Sequence, residues 1–240
     1  MKITVLGTGL VGRTLAEGLT GLGHDVVIGT RDPQATLART DWAKTGDVDT
    51  PPYAVWQDEH PGVRLLAFAE AGAHAEVVLN ATVGAASLDA LAQVGADNLA
   101  GKVLLDLALP LDFSAGFPPE LTVANTDSLG EQIQRAYPET RVVKSLTSVF
   151  CQVMVEPSRV PGQHSIFVAG DDAGAKQTVR ELLESFGWPA GRIIDLGGIT
   201  AARAVEMYSR MYFTLVGVLG TFELNINVIS ATGENGEPSA

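Results

Sequence analysis

Three glycines, Gly7, Gly9 and Gly12, bracket Thr8, Leu10 and Val11 in the pattern G-x-G-x-x-G. That spacing meets three demands of a phosphate cradle. Gly7 turns the chain tightly, Gly9 lets the backbone approach a pyrophosphate, and Gly12 lets a helix pack on the preceding strand. A helix starting there aims its free N–H groups and its dipole at the anion. The competing reading is a tight turn with no ligand, so the flanking elements must decide. Further on the chain reads Ile28-Gly29-Thr30-Arg31-Asp32-Pro33. A site for NAD usually carries an acid near this point, bonded to the ribose 2′-OH. Here Thr30 offers a hydroxyl and Arg31 a guanidinium, which suit the 2′-phosphate of NADP. The bland alternative for Arg31 is a solvated strand-end residue paired with Asp32.

Candidates for acid–base or metal chemistry are few. There is no Tyr-x-x-x-Lys pair, and His24, His60, His74 and His164 are scattered. None has metal-ligand spacing, so no metal is expected. Lys144, within VVKSL, reads as a sheet-edge lysine rather than a proton donor. No catalytic side chain is assigned. Arg203, Glu206 and Arg210 have the spacing of helix-surface ion pairs, with an interlobe or dimer contact as the alternative. Cys151 is the single cysteine and lies in the apolar stretch VFCQVM, which predicts an inert core thiol. A lone cysteine allows no intrachain disulfide and fits a reducing cytoplasm.

The elements that must position these residues alternate. Apolar runs at 2–6, 25–29, 63–68, 76–82 and 102–108 read as strands, with helical periodicity at 13–22 and 87–95 between them. The glycine pattern therefore falls between a strand and a helix, as a dinucleotide site requires. After Pro138, strands are expected at 141–149, 164–170 and 192–197. A helix is expected at 172–186, and a longer one from 200 toward 222. This predicts an α/β chain: a Rossmann-type doubly wound parallel sheet with a smaller C-terminal α/β lobe. The expected boundaries are 1–140 for the NADP-binding domain, 141–230 for a lobe covering the cofactor cleft, and 231–240 for a disordered tail. The proline-bearing stretch 45–62 reads as an irregular loop with no assigned role.

Composition narrows the partners. The chain has 240 residues, 46% hydrophobic and 18% charged, with a formal net charge of −12. A core is available, while nucleic acid and anionic membranes are disfavoured. The first residues do not make a clean leader, because Arg13 and Glu17 interrupt the apolar run. The late apolar stretch 211–222 is too short to span a bilayer. A cytoplasmic protein is expected.

Several longer motifs, in order, resemble the coenzyme-F420-dependent NADP oxidoreductases. They are GTGLVG at 7–12, IGTRDP at 28–33, NATVG at 80–84, PLDFSAGFPPEL at 110–121, NTDSLGEQIQ at 125–134 and VVKSLTSVFCQVMVEP at 142–157, followed by FVAGDD at 167–172, DLGGITAARAVEMY at 195–208 and FELNINV at 222–228. The resemblance implies a homodimer with NADP(H) across the strand ends, where Ala81 and Thr82 join the cofactor site. It also implies F420 or a flavin stacked on the nicotinamide, with Leu146, Thr147 and Ser148 lining the acceptor cleft. Three positions depart from the family pattern. Leu109 and Thr147 stand where relatives commonly carry Asn, and Gly198 where they often carry Asp. The cofactor side is thus expected intact and the acceptor side altered.

Hydride transfer between two stacked rings needs orientation and little acid–base help. A carbonyl reductase needs a donor for the developing alkoxide. The scarcity of such donors favours the flavin-like acceptor. The alternatives are a reductase of a small carbonyl or imine, and a nonenzymatic NADP-binding sensor.

Overall fold

The computed structural model describes residues 1–45 and 48–231. Twelve strands occur among them: β1 (Lys2–Leu6), β2 (Asp25–Thr30), β3 (Ala43–Thr45), β4 (Val48–Thr50), β5 (Arg64–Ala67), β6 (Val77–Asn80), β7 (Val103–Asp106), β8 (Leu111–Asp112), β9 (Glu120–Leu121), β10 (Arg141–Ser145), β11 (Ile166–Ala169) and β12 (Ile193–Asp195). The helices are α1 (Leu10–Gly21), α2 (Pro33–Leu37), α3 (Tyr53–Glu59), α4 (Phe68–His74), α5 (Ser87–Val94), α6 (Ala96–Leu99), α7 (Leu129–Ala136), α8 (Cys151–Val155), α9 (Ala173–Ser185) and α10 (Ala202–Leu219).

Eight strands form one sheet in the order β12-β11-β10-β7-β6-β1-β2-β5. Every pair is parallel except β10 with β11. Runs such as Val77-Val78-Leu79 are buried along their whole length, as strands covered on both faces must be. One apolar cluster joins α1, α8 and α9 to one face, and a second joins α4, α5 and α7 to the other. The parallel strands end on one rim, where a doubly wound sheet binds ligands. No helix among the described residues is long and apolar enough to cross a membrane.

The fold class follows the sequence reading, with local differences. Residues 45–62 are not simply a loop. They contain β4, which pairs antiparallel with β3, and α3, which begins directly after Pro51-Pro52. Proline suits a helix start, where its missing N–H costs nothing. The strands of the expected C-terminal lobe extend the first sheet, since β10 pairs in parallel with β7 from Arg141↔Val103 to Lys144↔Asp106. The strand expected through Val149 stops at Ser145, because Leu146 turns into the left-handed region at φ +62°. Of the tail expected at 231–240, residues 232–240 lie outside the described residues.

Candidate functional site

At the end of β1, Gly7 adopts φ +119°, and a Cβ there would stand 2.6 Å from the Ala81 carbonyl oxygen. A Cβ on Gly12 would stand 2.1 Å from the Gly7 oxygen. These two glycines are therefore required by the fold. Gly9 differs: it is exposed, it caps the start of α1, and a Cβ there meets nothing within 4 Å. The room in front of Gly9 fits a pyrophosphate approaching the helix N-terminus. Thr8, Leu10 and Val11 are half-buried around it, and Ala81 abuts Gly7 from the end of β6.

At the end of β2 the two expected phosphate contacts separate. Thr30 is buried, and its hydroxyl lies 2.9 Å from that of Thr36. The Thr36 hydroxyl in turn donates to the Asp32 carbonyl. Thr30 is thus committed inside the fold, contrary to the expectation that it faces a phosphate. Arg31 is exposed and makes no hydrogen bond or ion pair among the described residues. Its neighbour Asp32 is not its partner, because that carboxylate caps α2 by accepting from the Ala35 N–H at 2.9 Å.

The other half of the rim holds a buried polar chain that the sequence did not reveal. The Thr82 hydroxyl donates toward Asn80 Oδ1 at 2.7 Å and lies 2.8 Å from Ser87 Oγ. Asn80 Nδ2 donates to Asp106 Oδ1 at 2.8 Å. Lys144 Nζ donates to Asp106 Oδ2 at 2.8 Å, pairs with Glu206 Oε1 at 2.9 Å, and also donates to the Ala108 carbonyl. Glu206 accepts the Leu129 and Gly130 N–H groups at the start of α7.

Lys144 is fully buried on an interior strand, so it is not a sheet-edge residue. Burial pushes its pKa down, but Asp106 and Glu206 outweigh that and leave it raised. Glu206 is likewise not a surface residue. Arg203 pairs instead with Glu131 at 2.6 Å, and Arg210 donates to the Pro118 and Pro119 carbonyls. His164 is buried between the Pro157 carbonyl and Asn225, and burial raises the Cys151 thiol. Among the described residues no His, Cys, Asp and Glu cluster could hold a metal.

Past β10 the expected acceptor residues divide. Leu146 is fully buried in the main apolar cluster, which removes its side chain from an acceptor site. Thr147 and Ser148 are 4% and 1% exposed, and neither hydroxyl has a hydrogen-bond partner among the described residues. Leu109 follows β7 on the same rim. Gly198 does not belong there. Because β11 runs opposite to β10 and β12 runs with β11, Gly198 leaves the sheet at the rim where β10 enters. A Cβ on it would stand 2.8 Å from Asp171 Oδ1, which already accepts the Ile199 N–H.

Comparisons with known proteins converge on one family. Residues 2–110 match the family model described as "NADP oxidoreductase coenzyme F420-dependent". A solved structure of a candidate F420-dependent NADP reductase from Arthrobacter sp. FB24 is 53% identical, with a TM-score of 0.89, and the match covers 96% of this chain and 100% of that one. The F420-dependent NADP reductase of Methanothermobacter marburgensis is 27% identical over 90% of this chain and 92% of its own. The rat metalloreductase STEAP3 is 26% identical over 85% of this chain, which spans only 36% of that longer protein. With over half its residues shared across the full length of the Arthrobacter protein, the chain belongs to the coenzyme-F420-dependent NADP oxidoreductase family.

Proposed function

We propose that this protein transfers hydride between NADPH and a deazaflavin or flavin-like ring. Gly7, Thr8, Gly9, Leu10, Val11 and Gly12 would cradle the pyrophosphate. Arg31 would meet the 2′-phosphate, and Ala81 and Thr82 would flank the cofactor from β6. The acceptor would meet Thr147 and Ser148. The dihydronicotinamide supplies a hydride, so the protein need supply only binding, orientation and exclusion of water.

The observation that carries the acceptor class is how the charged groups near β7 and β10 are used. Lys144, Asp106 and Glu206 are buried and bonded to one another. None is presented as a proton donor, and the two unpaired hydroxyls beyond β10 can donate a hydrogen bond but are not acids that give up a proton at neutral pH. Carbonyl or imine reduction would need a donor at the reacting atom. A ring-to-ring transfer needs none there, because the ring nitrogen that gains a proton can take it from solvent after the hydride has moved.

The test is a screen of acceptors at fixed NADPH, followed at the nicotinamide absorbance. Oxidation with F420 or FMN supports the reading. Turnover confined to carbonyls or imines would replace it, and tight NADPH binding without turnover would favour the sensor. We propose further that a second copy covers an exposed apolar patch where Phe113 and Phe117 meet Phe213 of α10, beside Val218 and Leu219. Light scattering giving a monomer would remove the dimer.

A further inference from the structure

Arg13 is the first residue after the glycine pattern, and the role of the cradle leaves it unused. It lies on α1 yet is only 8% exposed. Its Nε donates to the Thr8 carbonyl at 2.8 Å, and its Nη1 donates to the Pro51 carbonyl at 2.6 Å. Its guanidinium carbon stands 5.1 Å from the centre of the Tyr53 ring. Among the described residues no carboxylate is within ion-pair distance of it. Burial pushes the Tyr53 phenol up, so that ring is neutral at pH 7.

Such a group is unusual. A buried charge is ordinarily paired, because desolvation is costly. A guanidinium cannot escape by losing its proton. In a chain of net charge −12, carboxylates are not scarce. The position explains the exception. Helical side chains lean toward the helix N-terminus, which brings this cation back to the loop in front of α1. The carbonyl and N–H of a trans peptide point in opposite directions. Holding the Thr8 carbonyl on Arg13 therefore aims the Gly9 N–H away from Arg13, and a Cβ on Gly9 would meet nothing within 4 Å.

We propose that Arg13 is a positioning residue for the dinucleotide pyrophosphate: it fixes the Thr8–Gly9 peptide from behind, and its positive charge, which no carboxylate neutralises, favours an anion on the other side of that peptide. The segment containing Pro51 and Tyr53 then has a use, since it holds the guanidinium against the loop. This inference rests on the dinucleotide reading above. It differs from the role given to Arg31, because the pyrophosphate is common to NADPH and NADH.

The test uses the full chain and measures direct binding of NADPH, NADH and ADP-ribose by calorimetry. ADP-ribose carries the pyrophosphate but neither nicotinamide nor 2′-phosphate. Arg13→Gln should weaken all three by similar factors, on the order of 10- to 100-fold, the range for losing a hydrogen bond to a charged group. Arg13→Lys, which keeps the charge, should recover most of that loss. Unchanged ADP-ribose affinity in Arg13→Gln would overturn the proposal, and so would a loss confined to NADPH. A purely structural latch would lower the melting temperature in both variants with no rescue of binding by lysine, which also overturns it. If Arg13→Gln does not fold, the Arg13 Nε–H resonance of the unaltered protein, assigned with Arg13→Lys, should shift on saturation with ADP-ribose; an unmoved resonance refutes the proposal. Failure of the unaltered protein to bind any of the three ligands would remove the dinucleotide reading and this inference together.

Discussion

The two halves of the ligand-binding rim use charge in opposite ways. At the ends of β1 and β2, Arg31 is exposed and Arg13 is buried, and neither faces a carboxylate. At the ends of β7 and β10, Lys144 is held by two carboxylates and a carbonyl. Both halves sit on one sheet with continuous strand pairing between them. An exposed cation such as Arg31, with no partner among the described residues, is available to an anion from outside, and Arg13 holds its charge on carbonyls alone. A cation with every donor engaged ties the fold together. The first half thus leaves its cations without internal carboxylates, and the second surrounds its lysine with two.

The largest effect expected from breaking this contrast is at Gly9. Gly9→Val should eliminate measurable NADPH binding, because the side chain would occupy the space the pyrophosphate needs. The folded state should survive, since nothing lies within 4 Å of the added Cβ. Calorimetry paired with a melting curve checks both halves of the statement, and unchanged affinity would move the cradle elsewhere.

Lys144→Met should be the most destabilising change on the other half. It leaves Asp106 and Glu206 buried without their shared cation, at a cost of about 3–5 kcal/mol. Urea denaturation measures it, and a loss under ~1 kcal/mol would mean the network is not what holds α10 to β10. The pH dependence has a definite sign. The folded pKa of Lys144 is raised, so its contribution is complete at neutral pH and is lost only as pH rises through that elevated value.

Arg31→Ala should weaken NADPH much more than NADH, by about 1.5–3 kcal/mol for a hydrogen bond to a charged group. Equal losses for the two cofactors would show that Arg31 does not read the 2′-phosphate.

The smallest effect is expected at Thr147. An asparagine offers both an amide donor and a carbonyl acceptor where threonine offers one hydroxyl. Thr147→Asn should therefore raise F420 reduction at fixed NADPH, within about 1–3 kcal/mol, and leave NADPH affinity unchanged. Robust F420 turnover that ignores the substitution would show that this position does not choose the acceptor.

Much of the fold was legible because its signals are local. Apolar runs marked every strand of the main sheet, and the glycine spacing located the β1–α1 turn within a few residues. The misreadings share a cause. Lys144 looked like an edge lysine because its partners, Asp106 and Glu206, are far away in sequence. Glu206 looked paired with Arg203 and Arg210 because helical spacing offers such pairs, but the fold supplied a buried competitor for Glu206 and separate partners for both arginines. Arg13 carried one usable signal, an arginine inside an otherwise apolar helix face. Gly198 was assigned to the acceptor side because nothing in the sequence announces that β11 runs antiparallel to β10. Thr30 could not be told from a phosphate donor without knowing that Thr36 would reach it.

The ladder between β7 and β10 has a consequence for turnover. Four residue pairs run without interruption from Arg141↔Val103 to Lys144↔Asp106, and Glu206 fastens α10 to the same place. Across this ladder the two halves are joined by backbone hydrogen bonds and by a buried ion pair. If the proposed ligands bind along this rim, they would enter and leave over a single continuous sheet, and their residence there would set the pace of the reaction.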